Sequence, residues 1–380
     1  MKNSLKKVAV VAAALSLVLI PSANAAVLKA SGATSVSGLI DKCKADYQSA
    51  TGNSFDYPGG GSSTGKNAFA AGTVDFAFSD SAHTTPIANE IHIPVVLWPV
   101  AILTNLGGSN KPVTLSTKTV AGIFAGTITN WNDPAIVADN NRSVNTIIYK
   151  KDASGKVAKD EKGQPIVLRT QQVQLHRTMP NLPITVVYRD AGSGTSNNLT
   201  RALGAFAPDI WTKPYNDTFA TAFPGNITSN PVAFRPGSGS AGVALNASKI
   251  KGAITYAEVS FAATYKLAVA SIINGAGNAI TPDSNSALAA GGQASIDENS
   301  GILTFNYLNK DSDAYPFTAT TYALASTKYG DAAKAKAVKD TLAFHAFKCP
   351  GLYPALGFAS VTETSAFGKV VNKQLAKLGA

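Results

Sequence analysis

Short runs of β-branched and aromatic residues alternate along the chain with stretches whose apolar positions recur every three or four residues, the pattern of an α/β protein. The runs predict strands at 54–57, 76–79, 93–104, 185–189, 253–257 and 318–325. The longer periods predict helices at 36–50, 66–71, 117–124, 195–206, 242–248, 331–347 and 365–378. The clearest is 331–347, where Ala335, Val338, Leu342 and Ala346 fall on one face. Within 139–177, two β-prone flanks, Ile147-Ile148-Tyr149 and Ile166-Val167-Leu168, enclose a stretch dense in Lys, Asp and Glu. That pattern predicts a solvated, charged hairpin projecting from one domain. No repeat with a period of 20 to 50 residues is visible.

The first 25 residues follow a different rule. Lys2, Lys6 and Lys7 precede an apolar run from Val8 to Ile20, which ends in Pro21 and Ala23-Asn24-Ala25. These are the three parts of a secretory signal peptide, and the run is too short for roughly 30 Å of hydrocarbon. The mature chain is expected to start at Ala26, exported to a periplasmic or extracellular space. No cysteine follows the apolar run, so no lipid anchor is expected there.

The 380 residues are long enough for about two domains. Lys and Arg exceed Asp and Glu by 33 to 23, a net +10, which would suit a nucleic-acid binder, a membrane-surface protein or an anion carrier. Export removes three of those lysines and places the chain away from genomic DNA, so no nucleic-acid partner is expected. Export also permits a disulfide. The only cysteines, Cys43 and Cys349, stand near opposite ends. Either they pair, so that the two chain ends meet in one domain, or they are two separately buried thiols.

Several Gly/Ser/Thr-rich turns lead into predicted helices. Gly60 to Lys66 fits the first part of a P-loop, but Asn67 stands where that loop needs Ser or Thr for magnesium. Gly61-Ser62-Ser63-Thr64-Gly65 fits G-x-S-x-G, which would make Ser63 a nucleophile of a secreted phosphatase or esterase. His83, His92, His176 and His345 lie in no recognisable triad context. A third reading asks only that backbone N–H groups and hydroxyls at a helix start face an oxyanion. Arg189-Asp190-Ala191-Gly192-Ser193-Gly194-Thr195-Ser196 and Ser31-Gly32-Ala33-Thr34-Ser35 repeat that design, the former with a guanidinium at a strand end. Gly237 to Gly242 fits G-x-G-x-x-G but follows no strong strand signal, and it reads as one more turn into a helix. Several such helix starts in one exported, basic chain point to a small anion.

At these residues the sequence resembles the PstS-type periplasmic phosphate-binding family of the phosphate ABC transporter. The matching stretches run in family order: Ser31-Gly32-Ala33-Thr34, Gly61-Ser62-Ser63, Thr73-Val74-Asp75-Phe76 to Ser79-Asp80, Asn130-Trp131-Asn132-Asp133-Pro134, Val187 to Ser196, Gly252 to Tyr256 and Tyr315-Pro316-Phe317-Thr318. The resemblance implies a two-lobed periplasmic-binding-protein fold, type II-like, with hinge strands and the ligand in the cleft between lobes. It implies lobe I at 26–100 and 318–380 and lobe II at 101–317, with the hairpin as an insertion. Both chain ends then lie in lobe I, which agrees with a Cys43–Cys349 pairing. Carried over, the phosphate ligands are Thr34, Ser35, Ser62, Asp80, Arg189, Ser193, Gly194 and Thr195. The expected partners are inorganic phosphate and the membrane permease subunits; no cofactor, metal or catalytic residue is expected, and the protein is expected to be a monomer.

Two departures qualify the resemblance. Ser35 stands where the family usually has Phe, which would alter packing rather than chemistry if the ligand there is a backbone N–H. The hairpin is longer than the usual connection, which keeps open a DING-like secreted binding or adhesion role on the same scaffold. Asp80 facing an anion makes sense through protons: hydrogen phosphate can donate one to it, whereas sulfate would set two acceptors face to face.

Overall fold

The computed structural model describes residues 27–85, 87–107 and 112–379; the expected signal peptide lies outside them. One strand organises the rest. Glu90–Asn105 is buried from Ile91 to Thr104. A strand covered on both faces needs no polar alternation, which is why it reads in the sequence as a continuous apolar run.

This strand belongs to two half-sheets. Its first ten residues, Glu90 to Pro99, pair antiparallel with Thr318–Ser326, and its last six, Val100 to Asn105, pair antiparallel with Ala253–Glu258. The first half-sheet continues through Phe76–Ser79, Val27–Gly32 and Ser54–Asp56, the second through Thr185–Arg189 and Phe234–Gly237. The two halves with their helices form two lobes. Two prolines inside a central strand would ordinarily break the ladder, since neither can donate. Pro94 falls where the register with Tyr322 and Thr321 shifts by a bulge, and Pro99 makes the last pair before the partner changes.

Local signals place most helices. The helix Ala332–Phe347 starts on an Asp331 cap and buries Ala335, Val338, Leu342 and Ala346, the face expected from their spacing. Each buried Leu or Val of that kind is worth roughly 1.5–3 kcal/mol. Asn130-Trp131-Asn132-Asp133-Pro134 acts likewise: Asp133 accepts from the Ala135 N–H at 2.9 Å, Pro134 opens the short helix Pro134–Asp139, and Trp131 Nε1 donates to the Gly252 carbonyl at 2.9 Å.

Three expectations change. Val27–Gly32, central in the first lobe, carries too weak a pattern to be expected as a strand, with Lys29 and Ser31 between its apolar residues. Phe234–Gly237, read as no strand, is an edge strand parallel to Thr185–Arg189. Its Pro236 is tolerated because an edge strand needs fewer donors. The helix expected at 66–71 begins at Ser62, so the glycine-rich turn feeds directly into it.

The charged hairpin forms from Ser143–Tyr149 and Val167–Gln174, and the second strand is largely exposed. Its tip is anchored rather than free, because Lys159 Nζ donates to the Ser360 carbonyl at 2.8 Å. Among the described residues, no helix is long and apolar enough to cross a membrane.

Cys43, on the helix Ser37–Thr51, and Cys349 form a disulfide with Cα atoms 5.8 Å apart, both fully buried. The bridge ties the helix Ser37–Thr51 to the segment after Ala332–Phe347 across a separation of 306 residues. Replacing both cysteines by Ser is expected to cost roughly 2–5 kcal/mol in guanidinium unfolding, and reductant should then have no further effect. An unchanged unfolding midpoint in the double variant would contradict that role.

Candidate functional site

Parallel strands deliver their carboxyl ends to the same side, and in open α/β sheets ligands bind in the crevice beyond those ends. Here Val27–Gly32 leads to Thr34 and Ser35, and Phe76–Ser79 leads to Asp80. From the second lobe, Thr185–Arg189 ends on its arginine, Phe234–Gly237 leads to Ser240, and Ala253–Glu258 ends on its glutamate. Residues far apart in sequence therefore meet where the lobes face each other.

Asp80 is the centre of one group. It is buried and accepts three hydroxyl hydrogen bonds: from Thr321 Oγ1 at 2.7 Å, Ser35 Oγ at 2.8 Å and Thr195 Oγ1 at 3.3 Å. Its own N–H donates to Ser62 Oγ at 3.1 Å, and its carbonyl accepts from Asn198 Nδ2 at 2.6 Å. Burial raises the carboxyl to about 6, against the pull of Thr321, Ser35, the Arg189 charge and Thr195. Ser35, expected to alter only packing, thus bonds directly to the carboxylate.

Two glycines allow this approach. Gly32 has φ +134°, and a Cβ there would lie 1.9 Å from the Phe78 carbonyl oxygen. Gly194, the first residue of the helix Gly194–Phe206, would place a Cβ 2.7 Å from Asp80 Cβ and from Ser62 Oγ. Ser193 caps that helix by accepting from the Ser196 N–H at 3.4 Å.

Arg189 is the centre of the second group. It is buried, its backbone N–H donates to Tyr256 Oη at 3.1 Å, and Nη1 donates to Ser240 Oγ at 3.5 Å. Ser240 also donates from Oγ to Glu258 Oε1 at 3.1 Å and from its N–H to Thr34 Oγ1 at 3.2 Å. Burial raises Glu258 to about 8; its own backbone N–H opposes that, the Asp80 charge reinforces it, and Arg189 and Ser240 oppose it. A cavity of about 330 Å³ lies against Thr34, Gly60, Arg189, Ser238 and Ser240. A larger one, about 700 Å³, lies against Leu106, His176, Arg177 and Lys251 and shares no residue with this cluster.

All eight residues singled out in the sequence lie in or beside these two groups. Thr321, Glu258 and Asp217 were not anticipated, and Ser240 belongs to the turn at Gly237 to Gly242, which reads in the sequence as a helix start but not as part of the site. Asp217 joins the lobes: Oδ2 accepts from Lys66 Nζ at 2.6 Å and Ser63 Oγ at 3.0 Å, and Oδ1 accepts from Ser81 Oγ and Asn197 Nδ2, each at 2.9 Å. Burial raises the Asp217 carboxyl, but Lys66 and the hydrogen bonds outweigh it and hold it below the usual range. Ser63, considered as a nucleophile, spends its hydroxyl on this carboxylate. Among the described residues the His83 and His92 rings face Glu90 and the His83 backbone, and His345 faces the Thr341 carbonyl.

The arrangement offers an anion four helix starts, a buried guanidinium and a ring of hydroxyls, with two carboxyls placed among them. Known proteins resemble this chain in sequence or in fold. The phosphate-binding protein PstS of Xylella fastidiosa is 28% identical over 82% of this chain and 75% of its own length. Among solved structures, the phosphate-binding protein of Stenotrophomonas maltophilia superposes with a TM-score of 0.63 at 24% identity, over 91% of this chain and 93% of that one. A high-affinity periplasmic phosphate-binding protein bound with phosphate, PfluDING, has a TM-score of 0.63 at 22% identity, with the same coverage of 91% and 93%. These two establish the two-lobed fold expected from the resemblance. The family model described as the PBP superfamily domain matches residues 20–342, most of the chain, and the protein belongs to that superfamily.

Proposed function

We propose that this protein binds inorganic phosphate in the cleft and delivers it to a phosphate ABC transporter. The observation that carries the reading is the buried Asp80 set among hydroxyl donors near Arg189. PstS of Xylella fastidiosa and PfluDING, named for phosphate, support the ligand. In this reading residues 26–100 and 318–380 make lobe I and 101–317 lobe II, and the chain is exported by its first 25 residues and works as a monomer. Thr34, Ser35, Ser62, Asp80, Arg189, Ser193, Gly194 and Thr195 form the site. The binding role needs no catalytic step.

Asp80 supplies selectivity. Once ionised it can accept a proton from hydrogen phosphate, whereas sulfate has none to give, and an unmatched buried acceptor costs about 1–3 kcal/mol, more when charged. Arg189 balances the charge, and neutral donors at the helix starts complete the shell without binding every anion equally. Lobe closure excludes water and presents a joint surface to the permease.

Calorimetry with phosphate should show tight one-to-one binding, with sulfate at least about tenfold weaker from the mismatch alone. Millimolar phosphate affinity, or parity with sulfate, would refute the assignment. Asp80→Asn should weaken phosphate binding and narrow the gap to sulfate. Because Asp80 titrates at about 6, selectivity should hold above that pH and decline as pH falls through it. A selectivity ratio flat between pH 5 and 7.5 would exclude Asp80 as the proton acceptor.

Asp217→Asn should remove about 1.5–3 kcal/mol from the closed arrangement. Small-angle scattering is expected to show a larger radius of gyration without phosphate, and phosphate affinity should drop. An unchanged radius together with unchanged affinity would show that the Lys66–Asp217 contact does not govern closure.

A further inference from the structure

The cleft contains a buried acid that the phosphate reading leaves without a task. Glu258 is only 3% exposed, Oε1 meets Ser240 Oγ at 3.1 Å, and Oε2 is buried with no hydrogen-bond partner. Such an oxygen costs free energy in every closed molecule unless it is used, and it costs more when the group is charged.

Ser240 makes the position informative. Its hydroxyl has one proton and three polar neighbours: Glu258 Oε1, Arg189 Nη1 at 3.5 Å and Thr34 Oγ1 at 3.3 Å. An ionised Glu258 can only accept, so it takes that proton and leaves Ser240 to accept from its other neighbours. Ser240 then offers nothing to an anion. A protonated Glu258 can donate to Ser240 Oγ, which turns the serine O–H outward as a donor.

Charge counting favours the second state once the cleft is filled. Asp80, Glu258 and an anion would share Arg189. The helix Gly239–Lys249 has no acid in its first turn, and the strand Glu90–Asn105 places Val100 opposite Glu258. Tyr256, two residues earlier on the same strand, is pushed up to about 12 mainly by burial and stays neutral, its hydroxyl tied to Ser196 and the Arg189 N–H. Asp80 and Arg189 are therefore the charges that act on Glu258 from the packed elements.

We propose that Glu258 is a proton-linked positioning residue of the anion site: it holds a proton when the cleft holds phosphate and thereby orients Ser240 as an additional donor to the anion. The proposal rests on the phosphate reading. The upward displacement of Glu258 to about 8 supports it, since at neutral pH the closed site then favours the acid form. With the lobes apart, the Asp80 charge that raises Glu258 is withdrawn and water enters the cleft, which would return the carboxyl toward its ordinary range. Binding should therefore draw one proton from solution onto Glu258, with no bond made or broken except that O–H.

Calorimetry with inorganic phosphate at pH 7, repeated in two buffers of different ionisation heat, counts the protons taken up. The wild-type protein should take up about one proton more per phosphate than Glu258→Gln, whose amide does not titrate. Between pH 6 and 8 the wild-type affinity should fall more steeply than that of the variant, by up to about tenfold more per pH unit. Equal proton counts in two folded proteins would overturn the proposal. Should the variant fail to fold, wild-type protein labelled with carboxyl-13C glutamate provides a second measurement: phosphate at pH 7 should raise a protonated-carboxyl infrared band that shifts with the label. A spectrum without a label-sensitive band would overturn it equally. Failure of wild-type protein to bind phosphate anywhere between pH 6 and 8 would be a different result, refuting the phosphate reading itself.

Discussion

A carboxylate held out of water needs compensation from several directions at once, and the cleft is organised around meeting that need at Asp80. Its three hydroxyl donors come from the first turn after Val27–Gly32, from the returning hinge strand Thr318–Ser326 and from a helix of the opposite lobe. Burial still prevails far enough to leave the group titrating at about 6. A negative charge there is thus affordable but not comfortable, which suits a residue whose proposed task is to accept a proton. The Thr195 contact crosses between lobes, so the quality of the site and the closure of the lobes are one energetic problem rather than two.

The strand Glu90–Asn105 makes that closure possible. One chain segment serves both half-sheets, so in the proposed closure a small change in its course near Pro99 and Val100 would carry one lobe against the other. Pro94 lies at the bulge and Pro99 beside the change of partner, so neither takes a donor from an uninterrupted stretch of ladder. Opposite the hinge, Asp217 gathers Lys66, Ser63 and Ser81 from the first lobe. The net positive charge of the chain has little to do with any of this: in the site, one arginine faces two carboxyls.

The hairpin shows how a correct local reading can leave the larger placement open. Its charged sequence does produce an exposed antiparallel pair, as two β-prone flanks around a polar stretch should. Lys159 nevertheless reaches the Ser360 carbonyl, 201 residues away in sequence. Nothing in the hairpin's own composition indicates that target, since the target is set by how the C-terminal segment packs.

The same division runs through the site. Glycines at a strand–helix junction, hydroxyls at a helix start, Arg189 at a strand end and the apolar run of the strand Glu90–Asn105 are local features, governed by backbone sterics and periodicity, and these were legible from the chain alone. The family resemblance added which turns belong together. Thr321, Asp217 and Glu258 were not legible, because nothing local distinguishes them from other polar residues, and Ser240 stands in a turn whose sequence marks a helix start but does not assign it to the site. Thr321 faces Asp80 because an antiparallel register places it there. Ser240 meets Thr34 and Arg189 because a weak edge strand, hidden by its proline, aims a fourth helix at the cleft. Sequence determined the elements and the chemistry available at their ends, since those depend on neighbours a few residues away. Which of those ends would share one buried space was decided only by tertiary structure, because register and lobe closure join residues that no local signal connects.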